Sequence, residues 1–381
     1  MPRLPPSFLR HAHSISPYLA ALLPVCRDLA SARNELRWIR EHVADVLSSR
    51  AKSHSNKDDR PYTSSPLGHA RDRDALLTEL CRRRGSGVPL QYILGSQPFG
   101  TLDIKCRPGV LIPRPETEAW VTHLADIVRG EAGAGFENEA KISDLRVVDL
   151  CLGSGCIALL LHSLLQRRFP GLNVCGYDVD SGAVALARHN LVHNVQRRLL
   201  HNPNDSISFL EADIFHSAWL ELLLRHGGRD SEKNPMGPVV DILVSNPPYI
   251  SARGFNRDTA RSVRNYEPKR ALVPLPVSAS ACMDGKPEDV FYVRLLEISQ
   301  VLQPRFAVFE VGDLEQGRRV AEIAFRRFGG ARADKKIEIW RDWPDMRPEE
   351  NEARSIEISG LQVPVKGSGN GRAVFIRRGT T

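Results

Sequence analysis

The 381-residue chain contains no Cys-x-x-Cys pair and no apolar run long enough to cross a bilayer. Because its seven cysteines are scattered, neither a disulfide framework nor a zinc site is predicted, and a reducing compartment is favoured. A membrane-spanning helix needs about 20 apolar residues, so no membrane partner is expected. The net charge of +7 is mild and spread along the chain, so direct binding of nucleic acid is not expected either.

Acidic residues are also missing from the first 27 positions, where Arg3, Arg10 and Arg27 stand among serines and histidines. An acid-poor start that carries arginine and serine is typical of a mitochondrial transit segment, which we predict for residues 1–27. Pro5 and Pro6 weaken the amphipathic helix that such a signal needs. An ordinary N-terminal arm is therefore the alternative.

The apolar pattern divides the rest of the chain into three parts. Residues 28–87 have helical periodicity interrupted by a polar stretch at 48–68, which predicts a small helical domain with one flexible loop. Residues 88–113 alternate apolar residues with turn residues, which predicts a hairpin connector. From 114 to 381, short apolar runs alternate with helical patterns, which predicts an α/β domain with a doubly wound sheet.

Four predicted strands of the α/β domain end in a carboxylate or an amide: Asp149, Asp178, Asp213 and Asn246 follow the apolar runs at 145–150, 173–177, 207–210 and 239–244. The carboxyl ends of parallel strands meet at one edge of a sheet, where ligands bind. Asp178 is placed to accept hydrogen bonds from ribose hydroxyls. Asp213 can meet an adenine amino group while Ile214 packs against the ring. The pattern therefore predicts a nucleoside-shaped site.

The turn after the first of these strands opens a helix and consists of Cys151, Leu152, Gly153, Ser154 and Gly155. Its glycines permit close approach of the backbone to a ligand, and the helix start offers free N–H groups. The glycine fingerprint of dinucleotide-binding folds is incomplete, because cysteines stand where two of the glycines are needed. NAD is therefore disfavoured, and a cofactor with one nucleoside and a small charged tail, such as S-adenosylmethionine, is favoured.

The stretch after the fourth strand is Ser245-Asn246-Pro247-Pro248-Tyr249. Two consecutive prolines donate no backbone hydrogen bonds and fix φ, so the chain here is rigid. A planar NH2 group can donate its two protons to the Asn246 side-chain oxygen and the Pro247 carbonyl, with its face against Tyr249. The alternative is a strand that simply ends in a proline-rich turn. We favour a site that holds a weakly nucleophilic nitrogen for attack.

Asp-Leu-x-x-Gly-Ser-Gly (149–155) together with Asn-Pro-Pro-Tyr (246–249) resembles class I methyltransferases that act on amino or amide nitrogen. With Pro-Arg-Pro-Glu-Thr-Glu (113–118), the chain resembles the HemK/PrmC-type glutamine methyltransferases of peptide-chain release factors, from about residue 76 to 317. Further matching pieces are Tyr266-Glu267-Pro268, Asp284-Gly285, Phe309-Glu310-Val311-Gly312 and Gln316-Gly317. The acid-poor start suggests the mitochondrial member of that family.

The resemblance implies a class I S-adenosylmethionine-dependent methyltransferase fold with seven strands in the order 3-2-1-4-5-7-6, the last antiparallel, behind a helical substrate-binding domain. It implies methyl transfer to the side-chain amide nitrogen (N5) of the glutamine in the Gly-Gly-Gln motif of a release factor, in the mitochondrial matrix and without a metal. The implied catalytic residues are Asn246, Pro247 and Tyr249. The implied cofactor-binding residues are Asp149, Cys151, Leu152, Gly153, Ser154, Gly155, Asp178, Asp213, Ile214 and Asn246. The implied substrate-binding residues are Phe99, Asn246, Pro247, Pro248 and Tyr249.

Two other functions stay open at this point. An N6-adenine methyltransferase acting on DNA or RNA presents the same NH2 group, although it usually carries a broad basic recognition region. A non-catalytic binding module is the second alternative, and the intact Asn-Pro-Pro-Tyr turn argues against it. Polar stretches at 226–237, 274–282 and 344–369 are predicted to be loop insertions.

Overall fold

The computed structural model describes residues 4–55, 66–134, 144–201, 206–226, 240–274, 286–328 and 335–379. The chain forms two compact units. The first comprises the residues up to Ser96 together with Ala260–Tyr266, and the second comprises Gln97–Thr259 together with the chain from Glu267 onward. Apart from their first residues, the polar stretches predicted at 226–237 and 274–282 lie outside the described residues.

The first unit is helical. Its helices in the N-terminal part are α1 (Pro6–Ile15), α2 (Pro17–Cys26), α3 (Leu29–Ser55), α4 (Pro66–Gly85) and α5 (Leu90–Leu94). All five contribute to one hydrophobic core, for example through Ala12, Leu22, Ile39, Cys81 and Ile93. A half-buried ion pair links α4 to α3, since the Arg84 guanidinium donates to both carboxylate oxygens of Glu35 at 2.6 and 2.8 Å.

Helices α1 and α2 occupy the segment that was predicted to be a transit sequence. Ala12, Leu22 and Leu23 are fully buried in the core that α3 and α4 share. Removal of residues 1–27 would therefore uncover apolar side chains of α3 and α4. The end of a transit segment at residue 27 stays a prediction.

The loop predicted at 48–68 is shorter than expected. Helix α3 continues to Ser55 and α4 begins at Pro66, so only residues 56–65 fall between them, outside the described residues. The sequence from Ser48 to Ser55 is polar but contains no glycine or proline, and polarity alone does not end a helix. Pro66 stands in the first turn of α4, where a proline is tolerated because no intrahelical N–H bond is lost.

The second unit begins with a hairpin, which lies within the stretch predicted to be the connector. Strands β1 (Ser96–Phe99) and β2 (Leu102–Lys105) pair with each other. The remaining elements follow as α6 (Pro115–Ala134), β3 (Arg146–Leu150), α7 (Cys156–Leu165), β4 (Asn173–Asp178), α8 (Ser181–Gln196), β5 (Ile207–Glu211), α9 (Ala218–His226), β6 (Ile242–Ser245), α10 (Ala252–Arg257), α11 (Arg261–Tyr266, part of the first unit), α12 (Val290–Leu302), β7 (Phe306–Glu310), α13 (Leu314–Arg327), β8 (Lys335–Trp343), β9 (Ser355–Ile358), β10 (Leu361–Lys366) and β11 (Ser368–Arg378).

The central sheet has the order β5-β4-β3-β6-β7-β11-β8-β10-β9. Its first seven strands, renumbered within the domain, give 3-2-1-4-5-7-6, and β11 is antiparallel to both of its neighbours. The α/β fold class and the order expected of a class I methyltransferase are thus confirmed. Val147 faces the core shared with α6, α7 and α8, whereas Val148 faces the core shared with α9, α12 and α13. Both faces of the sheet are therefore buried, as in doubly wound folds.

The long loop predicted at 344–369 is wrong, because it contains β9 and β10. These strands form a hairpin around Ser359 and Gly360, which both have positive φ, and β10 pairs in parallel with β8. Val363 and Val365 point inward and alternate with exposed neighbours, which is the period of a half-buried strand. The sheet is therefore two strands wider than expected.

Candidate active site

A cavity of roughly 530 Å³ opens at the carboxyl edge of β3, β4, β5 and β6. This volume lies within the range of about 300 to 1,000 Å³ typical of small-molecule sites. Eight of the ten predicted cofactor-binding residues line it: Cys151, Leu152, Gly153, Ser154, Asp178, Asp213, Ile214 and Asn246. The edge at which the strand-end residues were expected to meet is therefore the wall of the cavity.

The turn between β3 and α7 has left-handed backbone at three positions: φ is +61° at Cys151, +56° at Gly153 and +79° at Gly155. A Cβ atom added to Gly153 would meet no atom within 4 Å, so this glycine leaves open room in the cavity wall. A Cβ atom on Gly155 would lie 2.9 Å from the Cβ atom of Ala187. Gly155 is not part of the wall and instead allows α8 to approach the turn.

Asp178 at the end of β4 lines the cavity and also forms a hydrogen bond with the turn between β3 and α7. One carboxylate oxygen accepts a hydrogen bond of 2.8 Å from the Gly153 N–H, and the other accepts one of 2.9 Å from the Asp180 N–H. Burial raises the pKa of Asp178, and the bond from Gly153 and the charge of Arg270 oppose that rise. These bonds fix the carboxylate at the place where ribose hydroxyls were expected.

Asp149 lies behind the turn and is not part of the cavity wall. Its Oδ2 atom accepts a hydrogen bond of 3.2 Å from the Ala158 N–H in the first turn of α7, and its Oδ1 atom is buried without a partner among the residues that the structure describes. Burial raises the pKa of this carboxyl well above its usual value. Asp149 therefore supports the turn from the rear, by holding the start of α7.

Asn246 and Pro248 line the cavity, whereas Pro247 and Tyr249 lie outside its wall. The turn begins where the buried Ser245 hydroxyl donates a hydrogen bond of 2.8 Å to the Leu150 carbonyl, which ties β6 to β3. The Asn-Pro-Pro-Tyr turn thus stands at the end of a strand that is fixed within the sheet.

Phe99, which was expected among the substrate-binding residues, does not line the cavity. Its side chain is only 1% exposed and packs in the core with Leu102 and Ile104, away from the cavity wall. The hairpin is tied to α8, because Asn190 and Asn194 accept backbone hydrogen bonds of 2.7 and 2.9 Å from β2. This pairing turns the inner face of the hairpin toward the core, and Phe99 does not reach the cavity wall.

Several cavity residues were not predicted. Arg114 lines the cavity while its guanidinium donates to the buried Glu267 carboxylate at 2.7 Å, and Glu267 also accepts the Ile112 N–H at 3.1 Å. Across the cavity, Arg270 forms an ion pair with Asp180. Arg114 stands within the 113–118 motif but was not singled out as a site residue, and Arg270 and Asp180 lie outside the motifs named above.

The residues of the cavity fit S-adenosylmethionine. The carboxylates of Asp178 and Asp213 suit the ribose hydroxyls and the adenine amino group, and Ile214 offers an apolar face for the ring. The open space over Gly153 leaves room in which the chain of the methionine tail would fit. Phe215 and Phe291, which pack edge to face with centroids 5.1 Å apart, extend the apolar side of the cavity.

Three curated proteins are similar to the chain over most of its length. It is 32% identical over 334 residues to the mitochondrial MRF1 N(5)-glutamine methyltransferase MTQ1 of Saccharomyces cerevisiae, which covers 85% of this chain and 82% of that protein. It is 30% identical to the probable mitochondrial counterpart of Schizosaccharomyces pombe, covering 81% and 85%. It is 32% identical to the release factor glutamine methyltransferase of Bacillus subtilis, covering 67% and 72%.

The chain belongs to the N5-glutamine methyltransferase family. It is a protein-glutamine methyltransferase, and its cofactor is S-adenosylmethionine. No protein-family model matches the chain. Among solved structures, the N-terminal domain of human METTL16 is 16% identical with a TM-score of 0.39, covering 80% of this chain and 83% of that one. A structural likeness with so low a TM-score supports no conclusion about the fold or the function of this chain.

The described residues contain neither a candidate metal-binding group nor a helix that could span a membrane. Within residues 4–55, 66–134, 144–201, 206–226, 240–274, 286–328 and 335–379, no group of three or more His, Cys, Asp or Glu side chains could hold a metal ion. In the same ranges, no helix has both the length and the apolarity needed to cross a membrane.

Proposed function

We propose that this glutamine methyltransferase acts on the glutamine of the Gly-Gly-Gln motif in a peptide-chain release factor, in the mitochondrial matrix. The names of its relatives support this substrate, since two are described as mitochondrial enzymes of MRF1 and a third as a release factor methyltransferase. The observation that carries the chemistry is the position of Asn246 in the wall of a cavity that also holds Asp178 and Asp213.

S-adenosylmethionine supplies an activated methyl group. The nitrogen of a glutamine amide is a weak nucleophile because its lone pair is delocalised. The Asn246 side-chain oxygen and the Pro247 carbonyl oxygen accept hydrogen bonds from its two N–H groups, which orients the nitrogen and stabilises the positive charge that develops on it. One of these protons is then lost to solvent, which leaves a neutral methylated amide. Such positioning and preorganised dipoles account for the rate without a strong base.

Each of the other residues of the site is proposed to bind one part of the cofactor or of the substrate. Asp178 holds the ribose, while Asp213 and Ile214 hold the adenine. The turn from Cys151 to Gly155 holds the methionine end, with Asp149 acting through the turn. Tyr249 and Pro248 border the place of the glutamine amide. Phe99 is left out of the site because it is buried in the core.

The helical residues 28–87 are proposed to bind the protein substrate. They belong to a unit with its own hydrophobic core, which suits a separate binding module. The mitochondrial location is supported by the names of the yeast relatives and by the acid-poor first 27 residues. N-terminal sequencing of the protein recovered from mitochondria locates any cleavage relative to α1 and α2.

The test is incubation with labelled S-adenosylmethionine followed by tryptic mass spectrometry. The substrates are a mitochondrial release factor, its variant with alanine in place of the Gly-Gly-Gln glutamine, and an adenine-rich oligonucleotide. We expect label on the glutamine peptide of the unaltered factor alone. Label on the oligonucleotide alone would establish N6-adenine methylation instead, and label on neither would exclude the release factor as substrate.

A substitution tests the role of Asn246. We expect Asn246→Ala to lower kcat by about 100-fold or more, because the substrate nitrogen loses one of its two acceptors. Binding of S-adenosylhomocysteine, measured by calorimetry, should change little. Asn370→Ala is the control, since Asn370 contacts Asp342 in the C-terminal part of the sheet and does not line the cavity. An equal loss of turnover and cofactor binding in Asn246→Ala would contradict the assigned role.

A further inference from the structure

The segment from Glu310 to Gln316, which joins β7 to α13, holds Tyr249 at three points. The Tyr249 hydroxyl donates to Glu310 Oε1 at 3.3 Å. The Tyr249 carbonyl accepts a hydrogen bond of 3.2 Å from Gln316 Nε2. The ring lies against Gly312, where an added Cβ atom would come within 3.1 Å of the tyrosine Cδ2 atom. The Phe-Glu-Val-Gly and Gln-Gly pieces of the sequence therefore meet on one residue of the Asn-Pro-Pro-Tyr turn.

Other hydrogen bonds hold the Glu310 carboxylate so that its Oε1 atom faces the Tyr249 hydroxyl. It is 1% exposed, and its Oε2 atom accepts hydrogen bonds from Thr117 Oγ1 at 2.6 Å and Trp120 Nε1 at 2.8 Å. Burial raises the pKa of Glu310, and the bonds from Thr117 and Trp120 oppose that rise. With Oε2 occupied, Oε1 is directed to Tyr249.

Gln316 is fixed in one orientation. Its Nε2 atom donates to Asp289 Oδ1 at 3.0 Å as well as to Tyr249, and its Oε1 atom accepts the Gly312 N–H at 2.8 Å. A carboxylate only accepts hydrogen bonds, so Asp289 determines which end of the amide faces Tyr249. Arg319 in turn donates to both oxygens of Asp289, at 2.6 and 3.0 Å. The amide therefore cannot flip without breaking a buried network.

A shift of Tyr249 would pass directly to the residues at the cavity wall. Only two prolines separate it from Asn246, and their rings restrict φ so that the turn moves as one piece. The other end of the turn is held where Ser245 donates to Leu150. The position of the Asn246 oxygen and the Pro247 carbonyl thus depends on both anchors.

We infer that Gln316 is a positioning residue of the methyltransferase: through Tyr249 it sets the place of the two acceptors for the substrate nitrogen. This inference rests on the proposed roles of Asn246 and Pro247. The opposing explanation is that Gln316 only stabilises the buried junction of β7 and α13. The two explanations differ in which kinetic constant responds to a substitution.

The decisive variant is Gln316→Met, which keeps the length of the side chain and removes its hydrogen bonds. We expect kcat to fall by about 10- to 100-fold, since a misplacement of about 1 Å has effects of this size. KM for the protein substrate and the Kd for S-adenosylhomocysteine should stay within about twofold, because the substitution leaves in place every side chain that is proposed to bind either ligand. Ile323→Ala, two turns further along α13 and within the core, is the matched control that lowers stability without removing any of the hydrogen bonds that hold Tyr249.

A second variant covers the case in which Gln316→Met fails to fold. Gly312→Ala removes no hydrogen-bonding group and places its methyl group 3.1 Å from the tyrosine Cδ2 atom and 3.3 Å from Gln316 Oε1, so these neighbours must yield by a few tenths of an ångström. It should show the same loss of kcat with unchanged S-adenosylhomocysteine binding.

Three outcomes separate the explanations. A kcat that falls alone in both variants, with Ile323→Ala unaffected, supports the inference. Unchanged kcat in Gly312→Ala or Gln316→Met, or losses of kcat and ligand binding that follow thermal stability as in Ile323→Ala, overturns it. If Asn246→Ala keeps its turnover, the proposed catalytic role fails instead, whatever the result at Gln316.

Discussion

The buried pair of Asp289 and Arg319, which supports Gln316, allows a quantitative expectation about stability. Asp289 is fully buried, and the Arg319 side chain is 19% exposed. The guanidinium Nε and Nη2 atoms lie 2.6 and 3.0 Å from the two carboxylate oxygens, which is a bidentate arrangement. The hydrogen bond to Asp289 raises the pKa of Arg319. The experiment is a double-mutant cycle of Asp289→Ala and Arg319→Ala.

Removing one member of a buried ion pair leaves the other charge unpaired and costs about 3–5 kcal/mol. We expect Asp289→Ala to lie at the upper end, because Gln316 also loses an acceptor. Glu288, 3.9 Å from the Arg319 guanidinium, compensates only part of this loss. In the double variant neither member of the buried pair is left without the other, so its loss should be smaller than the sum of the single losses by about 2 kcal/mol.

The assay is urea denaturation at about 25 °C, followed by both tryptophan fluorescence and circular dichroism to confirm a two-state transition. The four proteins of the cycle are compared by their free energies of unfolding. Additivity of the two single substitutions within about 0.5 kcal/mol would refute the reasoning, because contacting charges must couple by more than that. It would also leave the orientation of Gln316 without its support.

Two further expectations concern other parts of the second unit. Burial lowers the pKa of His162 from 6.5 to about 4. The unfolded chain then binds a proton that the folded one does not, and stability falls by at most about 3 kcal/mol as the pH drops from 6.5 to 4. Urea denaturation across this range should show a smaller fall in His162→Gln, and an identical fall would exclude His162 as its source. In the glycine turn, Gly153→Ala should cost about 1 kcal/mol through left-handed strain and weaken S-adenosylhomocysteine binding. Gly155→Ala should cost a further 1–3 kcal/mol, roughly, because its methyl group meets Ala187; equal thermal stabilities of the two variants would contradict this.

The strand ends of the catalytic unit could be predicted because their signal is local. Apolar runs such as residues 145–150 are buried on both faces of the sheet, and each must end where it leaves the core. Parallel pairing then brings Asp178 and Asn246 to one edge without knowledge of any side-chain contact. The order of the seven strands came from the family resemblance, since periodicity alone does not fix it.

Other elements depend on contacts that the sequence does not display. An apolar residue such as Phe99 could line a cavity or enter the core, and the bonds from β2 to Asn190 and Asn194 that hold its hairpin against α8 are not visible in the sequence. Strand β10 was predicted as loop because the stretch from 344 to 369 is long and mostly polar. Its alternation of Val363 and Val365 with polar neighbours was nevertheless a strand signal that could have been used.

In the site, too, some residues can be recognised from a short sequence motif, whereas others are placed there only by tertiary contacts. Residues that touch ligands must carry specific functional groups at a strand end, and motifs such as Asn-Pro-Pro-Tyr display them in a few consecutive positions. The residues that fix those groups lie far from the motif in the sequence. Asp289, Glu310 and Gln316 follow Tyr249 by 40, 61 and 67 positions, respectively, and belong to other elements. A weak nucleophile needs this second layer most, because catalysis by positioning fails when the acceptors move by a fraction of a bond length. The buried carboxylates and the amide behind Tyr249 are therefore as closely tied to the reaction as the turn that displays the motif.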